Sequence, residues 1–408
     1  MSTSEAFYRN AIDLNRYSNS VSKKIIKSYN DVVLEAAARL ATVDELNAPQ
    51  TAVRLRTLLS ELQLNLGSWS IDSSKVTALE LQGLAQLQSD FISNELKKVF
   101  PKDFRKNIKT VYVSPDFAES VVKTDPTKLN VFALPGEFER SIKEGMPQPV
   151  FRLTAGDGAV ITLPNGQTVE KAFRGLASSQ SDLFRKTVRN GLLSGDSTQQ
   201  IVRNLIGRLH FGQAGSVRQI AQAGGSATKM ANQQIMTIVR TSINQVSNSA
   251  SQKVYEANQD VTDKYEYVAT LDSKTSAVCA RLDGQTFIYG NGPTPPQHFN
   301  CRSTTVPIVN WNSLEKKYPT LKRPKETNLI TRPSESGRVP QGMTYADWLL
   351  KQPRSVQAEV FGKWKSQYFV KLSKKEGAQS ALRKIVRKDG SELTLKQLES
   401  RYPFLSDA

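Results

Sequence analysis

Residues 240–303 read RTSINQVSNSASQKVYEANQDVTDKYEYVATLDSKTSAVCARLDGQTFIYGNGPTPPQHFNCRS, and this stretch holds both cysteines, Cys279 and Cys301, with one of the two histidines, His298. The residues leading into it, Ala231 to Tyr255, place Ile235, Ile238, Val239, Ser242, Val246, Ala250 and Val254 at spacings of three and four, the pattern of an amphipathic helix. Lys264 to Thr270 then alternates aromatic or apolar residues with polar ones, as a half-buried strand does. Leu271 to Ser276 leads to Cys279, Leu282-Asp283-Gly284 supplies a turn, and Gln285 to Tyr289 reads as a second strand. The spacing predicts a helix followed by two short paired strands. The Gly/Pro loop Gly290 to Pro296 would carry Gln297 to Arg302 back to the hairpin, bringing His298 and Cys301 close to Cys279.

The order of these pieces carries a resemblance. RT-x-x-N occurs at Arg240, Thr241 and Asn244. D-x-x-T-S-x-x-C-x-x-L-D-G runs from Asp272 through Thr275, Cys279, Leu282 and Asp283 to Gly284. P-P-x-H-x-N-C-R runs from Pro295 through Pro296, His298, Asn300 and Cys301 to Arg302. Together they resemble the head-morphogenesis domain of the MuF-like minor head proteins of tailed phages, over about residues 185–308. A looser likeness, at Tyr345 to Gly362, is to the W-L-x-x-Q-P-x-x-V-Q-x-x-x-x-G segment that follows this domain in many members. The resemblance implies a structural role for the motif residues, no catalytic residues, and no small-molecule substrate. The implied partners are a phage portal protein, scaffold or major capsid protein. It also implies a place inside the capsid near the portal, assembly in the host cytoplasm, and an effect on packaging or ejection of the DNA.

Members of that family often carry CxxC before LDG and CxC after the histidine, whereas here Ser276 and Ser303 stand at the first and last of those positions. A four-cysteine zinc site is therefore impossible. Three ligands remain, Cys279, His298 and Cys301, with Asp272 or Asp283 as a weaker fourth. No cofactor is expected, and three states of the thiols stay open: zinc ligands, a Cys279–Cys301 disulfide, or buried thiols beside a hydrogen-bonded His298. A reducing cytoplasm favours thiols over a disulfide. A Cys/His pair also invites a nucleophile and base, but no orienting group or oxyanion-hole signature sits at a recognisable spacing.

Charge extends the reading to partners. The 408 residues carry a net charge of +17, concentrated in two places: residues 171–240 hold 10 Lys and Arg against 2 Asp and Glu, and residues 312–408 hold 20 against 10. Such a balance draws polyanions, so non-specific binding of double-stranded DNA is expected. Arg185, Lys186, Arg189, Arg203, Arg208 and Arg218 are the candidates, with solvated helix faces as the alternative. The start, MSTSEAFYRN, lacks a basic region followed by an apolar one, and no run of 18 apolar residues occurs, so a soluble chain without export or membrane contact is expected. Two cysteines exclude a disulfide scaffold.

The rest reads as a predominantly α-helical, α+β protein. Residues 1–105 form a helical N-terminal region: a first helix marked by Leu14, Tyr17, Val21, Ile25 and Val32, a second over Ala52–Leu66, and a third over Val76–Phe100, stopped by Pro101. Residues 106–170 read as loops around a small hairpin, Val150–Thr154 with Ala159–Leu163. Residues 171–310 form the head-morphogenesis domain, opening with helices over Gly175–Leu193 and Gln199–Leu209. A stop and N-cap at Gly195-Asp196-Ser197-Thr198 separate them, and His210 caps a helix end. Residues 311–342 read as a Pro-rich linker and 343–408 as a basic helical tail in which Trp348 and Trp364 serve packing.

Overall fold

The structure, a computed structural model, describes residues 3–43, 48–113, 132–133, 163–206, 209–211, 217–220, 226–324 and 330–403. Two long helices open it, α1 (Thr3–Ala41) and α2 (Ala48–Val99). Of the expected stripe on α1, Val21 and Ile25 are buried and Leu14, Tyr17 and Val32 half-buried, while Phe7, Tyr29, Val33 and Leu40 complete its inward face. α2 differs from expectation, because one helix of 52 residues replaces the second and third. The polar stretch GSWSIDSSK between them remains helical because its hydroxyls are satisfied locally: Ser70 and Ser74 bond the carbonyls of Gly67 and Ile71, at 2.7 and 2.8 Å. Trp69 from the same stretch turns inward.

Helix α3 (Val169–Ser194) begins at an N-cap in which Thr168 accepts from the Lys171 amide, and ends at Gly195 with φ 77°. Helix α4 (Thr198–Ile206) follows, with the Ser197 hydroxyl accepting from the Gln200 amide at 3.2 Å. The chain then forms a strand pair, β3 (Leu209–Phe211) with β4 (Val217–Ile220). His210 therefore lies opposite Gln219 in a strand, not at a helix end. Between α2 and α3, β1 (Tyr112–Val113) pairs with β2 (Phe132–Ala133), while the expected hairpin at residues 150–163 lies, except for Leu163, outside the described residues.

Helix α5 (Ser226–Ala257) packs against α1, α2 and α3, so residues from 7 to 321 share one hydrophobic core. Tyr29, Trp69 and Phe173, one from each of α1, α2 and α3, join edge to face at 5.2 and 5.8 Å between ring centres. Polar cross-links seal the same core: Tyr29 Oη donates to Gln180 and Gln88 Nε2 to Ser251.

After α5 the expected strands appear. β5 (Thr262–Val268) pairs antiparallel with β6 (Thr286–Ile288), the short helix α6 (Ala277–Leu282) lying between them in sequence. A third strand, β7 (Thr304–Val309), pairs along the other edge of β5. Alternation is weak in its sequence, TTVPIV, and Pro307 breaks the strand pattern there. The segment expected as a linker is folded in its described part. α7 (Trp311–Lys317) lays Trp311 on Phe100, and β8 (Thr331–Ser334) pairs with β9 (Gly337–Pro340).

The tail forms α8 (Tyr345–Leu350), α9 (Arg354–Glu376), α10 (Ala378–Ile385) and α11 (Leu395–Arg401). α8 and α11 start with capping boxes, Thr344 with Asp347 and Thr394 with Gln397. A second core joins Trp348, Leu349, Phe361, Phe369 and Leu382 to Leu271 and Ala280 of the central stretch. Trp348 packs as expected, but Trp364 is 59% exposed.

Candidate functional site

Asp283, of the Leu-Asp-Gly turn, is fully buried and anchors the central stretch. Its Oδ1 accepts from the Ala269 amide at 2.6 Å and from Arg332 Nη2 at 2.9 Å, while Oδ2 accepts from the Tyr345 amide at 2.7 Å and Arg332 Nη1 at 3.0 Å. One carboxylate thereby ties the end of β5, strand β8 and the start of α8. Arg332 also donates to the carbonyls of Ala269 and Met343, and the Asp283 charge holds its pKa above the ordinary value against burial. Gly284 has φ 73°, a conformation that lets the chain turn from α6 into β6.

Asp272 makes a second node. Arg302 clasps it through Nη1 and Nη2 at 2.5 and 2.8 Å, joining the return loop to the start of the motif. The same carboxylate accepts from the Lys274 amide and the Thr275 hydroxyl, and Thr275 also donates to the Thr270 carbonyl.

The RT-x-x-N residues on α5 hold the other side of the loop. Thr241 Oγ1 accepts from the Asn300 amide at 3.0 Å, and Asn244 Nδ2 donates to the Ser303 carbonyl at 3.1 Å. Asn300 takes a left-handed conformation, φ 59°, which asparagine tolerates better than other side-chain-bearing residues, and its amide reaches Thr237. Arg240 forks onto Asn19 of α1 through Nε and Nη2. Pro296 follows a cis peptide bond in the return loop, and Leu282 packs beside the thiols.

Cys279, His298 and Cys301 do come together, their ligand atoms lying within 4.8 Å of one another. Cys279 Sγ is 3.6 Å from Cys301 Sγ and 3.3 Å from His298 Nε2, and both cysteines are free thiols buried to 2–3% exposure. Ser276, at the position of the family's first cysteine, instead N-caps α6 by accepting from the Cys279 amide. Of the two sulfurs, Cys301 ionises first, its pKa held well below that of an ordinary thiol by a hydrogen bond from Cys279 and by His298. The hydrogen bond to Cys301, together with burial, pushes Cys279 up, and the Cys301 sulfur raises His298.

The three donors fit a tetrahedral zinc ion. Zn–S bonds of about 2.3 Å at the tetrahedral angle put two sulfurs roughly 3.8 Å apart, close to the 3.6 Å seen here. Asp272 and Asp283 are engaged with arginines and do not belong to this cluster.

The DNA candidates are more dispersed. Arg185, Lys186 and Arg189 are exposed on α3, with Arg185 reaching Gln63, and Arg203 is exposed on α4. Arg218 falls in β4, and Arg208 lies outside the described residues. Sequence reasoning missed Arg332 and Asn19, and it named Tyr345 only as the start of the looser likeness, not as a partner of Asp283. Arg332 and Asn19 carry no local signal, because each meets the motif from a distant segment.

Some signature residues bind one another, Thr241 with Asn300 and Asp272 with Arg302, and others bind distant segments, Asp283 with Arg332 and Arg240 with Asn19. Residues 182–306 match the family described as Phage Mu protein F like protein, the segment that holds α5, the thiol cluster and the start of β7. The segment that carries the motif is thus similar to the MuF-like phage head-morphogenesis family, and the match covers about a third of the chain. No curated protein and no solved structure matches the chain significantly.

Proposed function

We propose that the chain is a minor head protein that joins the portal during procapsid assembly, stays in the capsid near it, and affects packaging or ejection of the DNA. The observation carrying this reading is that the motif side chains direct their polar atoms inward: Asp283, Asp272, Thr241, Asn244 and Asn300 all bind other parts of the chain. A signature used this way specifies a rigid shape, as an assembly component needs, and leaves its outer faces to meet a portal, scaffold or major capsid protein.

Within this reading, Cys279, His298 and Cys301 would hold one zinc ion that staples the return loop to α6. Native mass spectrometry of the chain mixed with the same phage's portal ring tests both statements. A defined complex whose mass includes one zinc per chain is the expected result. Absence of any complex would refute the portal role, and a metal-free mass would refute the zinc site.

The 3.3 Å contact between Cys279 and His298 favours a second reading, a virion-carried cysteine hydrolase. Its mark would be an activity lost in Cys279→Ser and His298→Ala while the fold survives. Variants that only lose stability or head assembly leave the structural reading in place.

A further inference from the structure

A cavity of about 400 Å³ lies between α1, the middle of α5 and the return loop. Arg240, Lys274 and Arg302 line it together with Asn15, Asn244 and Ser247, and no carboxylate does. A second cavity of about 370 Å³ adjoins it, sharing Asn15, Lys274 and Arg302. Volumes of this size belong to sites for small organic ligands.

Arg302 is paired with Asp272, whereas Arg240 and Lys274 have no carboxylate partner among the described residues. Arg240 is half-buried, and its side-chain partner is the neutral amide oxygen of Asn19, met through Nε and Nη2. Burial depresses its pKa, and the neighbouring Arg302 adds to the effect. Arg302 gives two of its N–H groups to Asp272, and a guanidinium has five. The Lys274 side chain is exposed, and its ammonium has no acceptor among the described residues. Two guanidiniums and an ammonium around one cavity, with amides and a hydroxyl among the lining, suit the charge and acceptor number of a phosphoryl dianion better than a single carboxylate.

We propose that this cavity binds a phosphoryl dianion, free or carried on a small ester, held by Arg240, Lys274 and Arg302 between α1 and α5. Its lining shares no residue with the DNA candidates on α3, α4 and β4, so the site is separate from non-specific DNA binding there and does not depend on the head-protein reading. The ligand is free phosphate or a mononucleotide-sized ester, which share the phosphoryl chemistry.

Isothermal titration calorimetry of the full chain with inorganic phosphate, adenosine 5′-monophosphate and adenosine tests this. Phosphate and the nucleotide should bind and adenosine should not, with the tighter of the first two naming the source. Lys274→Gln keeps the fold, since the side chain is exposed, and should weaken binding about tenfold, as expected for one charge-assisted contact. Arg240→Gln should do at least as much, and the distant Lys388→Gln should change nothing. The proposal is overturned by no heat from either phosphate at concentrations on the order of 10 mM, by adenosine binding as tightly as its phosphate, or by affinity unchanged in Lys274→Gln.

Discussion

Four donors converge on the two oxygens of Asp283, and its charge has no access to water. Removing a partner from a buried pair leaves the other charge uncompensated, which costs about 3–5 kcal/mol. Asp283→Ala is therefore expected to lower stability by that amount in urea unfolding. Asp283→Ala combined with Arg332→Met should recover part of the loss, because no buried charge is then orphaned. A double variant no better than the single would mean the backbone bonds to Ala269 and Tyr345 dominate. Glu266, two residues from Val268 on β5, is the opposite case: burial, then the Asp283 charge, raise its pKa, and Arg332 only partly offsets them. The folded state thus holds this proton more tightly than the unfolded chain, so its contribution is favourable at low pH and is lost as pH rises through the raised folded value. Glu266→Gln should raise the melting temperature at pH 7, and the gain should shrink as pH falls towards the ordinary carboxylate range. An equal gain at every pH would show that ionisation is not the cause. At this scale the sequence disclosed the motif members and the meeting of Cys279, His298 and Cys301, because loop chemistry between near neighbours determines them. It concealed Arg332, whose 49-residue separation from Asp283 leaves no periodic trace.

The helices show how much an element's boundary depends on what its polar residues can bond to. Serines in the middle of α2 resemble a break in the sequence, yet their hydroxyls return to carbonyls in the preceding turn and the helix runs on. Glycines in two helices make the contrast measurable. Gly83 sits inside α2 with open space where a Cβ would go, so Gly83→Ala should stabilise by about 0.5–1 kcal/mol. Gly362 interrupts α9 at φ 76° and ψ 161°, a conformation essentially confined to glycine, so Gly362→Ala should destabilise by about 1–3 kcal/mol although space is open there too. Chemical denaturation of the two variants checks both signs, and a loss at Gly83 or a gain at Gly362 would contradict this account. Strands were less legible than helices. β5 and β6 alternate and were readable, whereas β7, β8 and β9 contain prolines and short polar runs: β7 becomes a strand against the distant β5, and β8 and β9 against each other.

Across the whole molecule, helices of residues 1–105 and 171–310 bury their apolar faces against each other in one core, and the second core joins the tail to Leu271 and Ala280. No stripe on a single helix could have disclosed this, because periodicity identifies the face that is buried and not the helix that buries it. The net charge of +17 is borne largely by what this packing leaves outside, including Arg185, Lys186, Arg189 and Arg203. If these cations meet DNA, each neutralised phosphate releases counterions, and log K falls with log salt by about 0.9 per contact. Fluorescence anisotropy with unrelated duplexes should then give equal affinities that drop steeply between about 50 and 200 mM salt. The triple variant Arg185→Gln, Lys186→Gln, Arg189→Gln should flatten the slope by up to about three contacts' worth without favouring any sequence. Binding that ignores salt, or that is undetectable at the lower concentration, removes DNA from the partners of this protein. An unchanged slope in the triple variant would assign the contact to another surface, and the tail, with its 20 basic against 10 acidic residues from position 312 onward, is the one to test next.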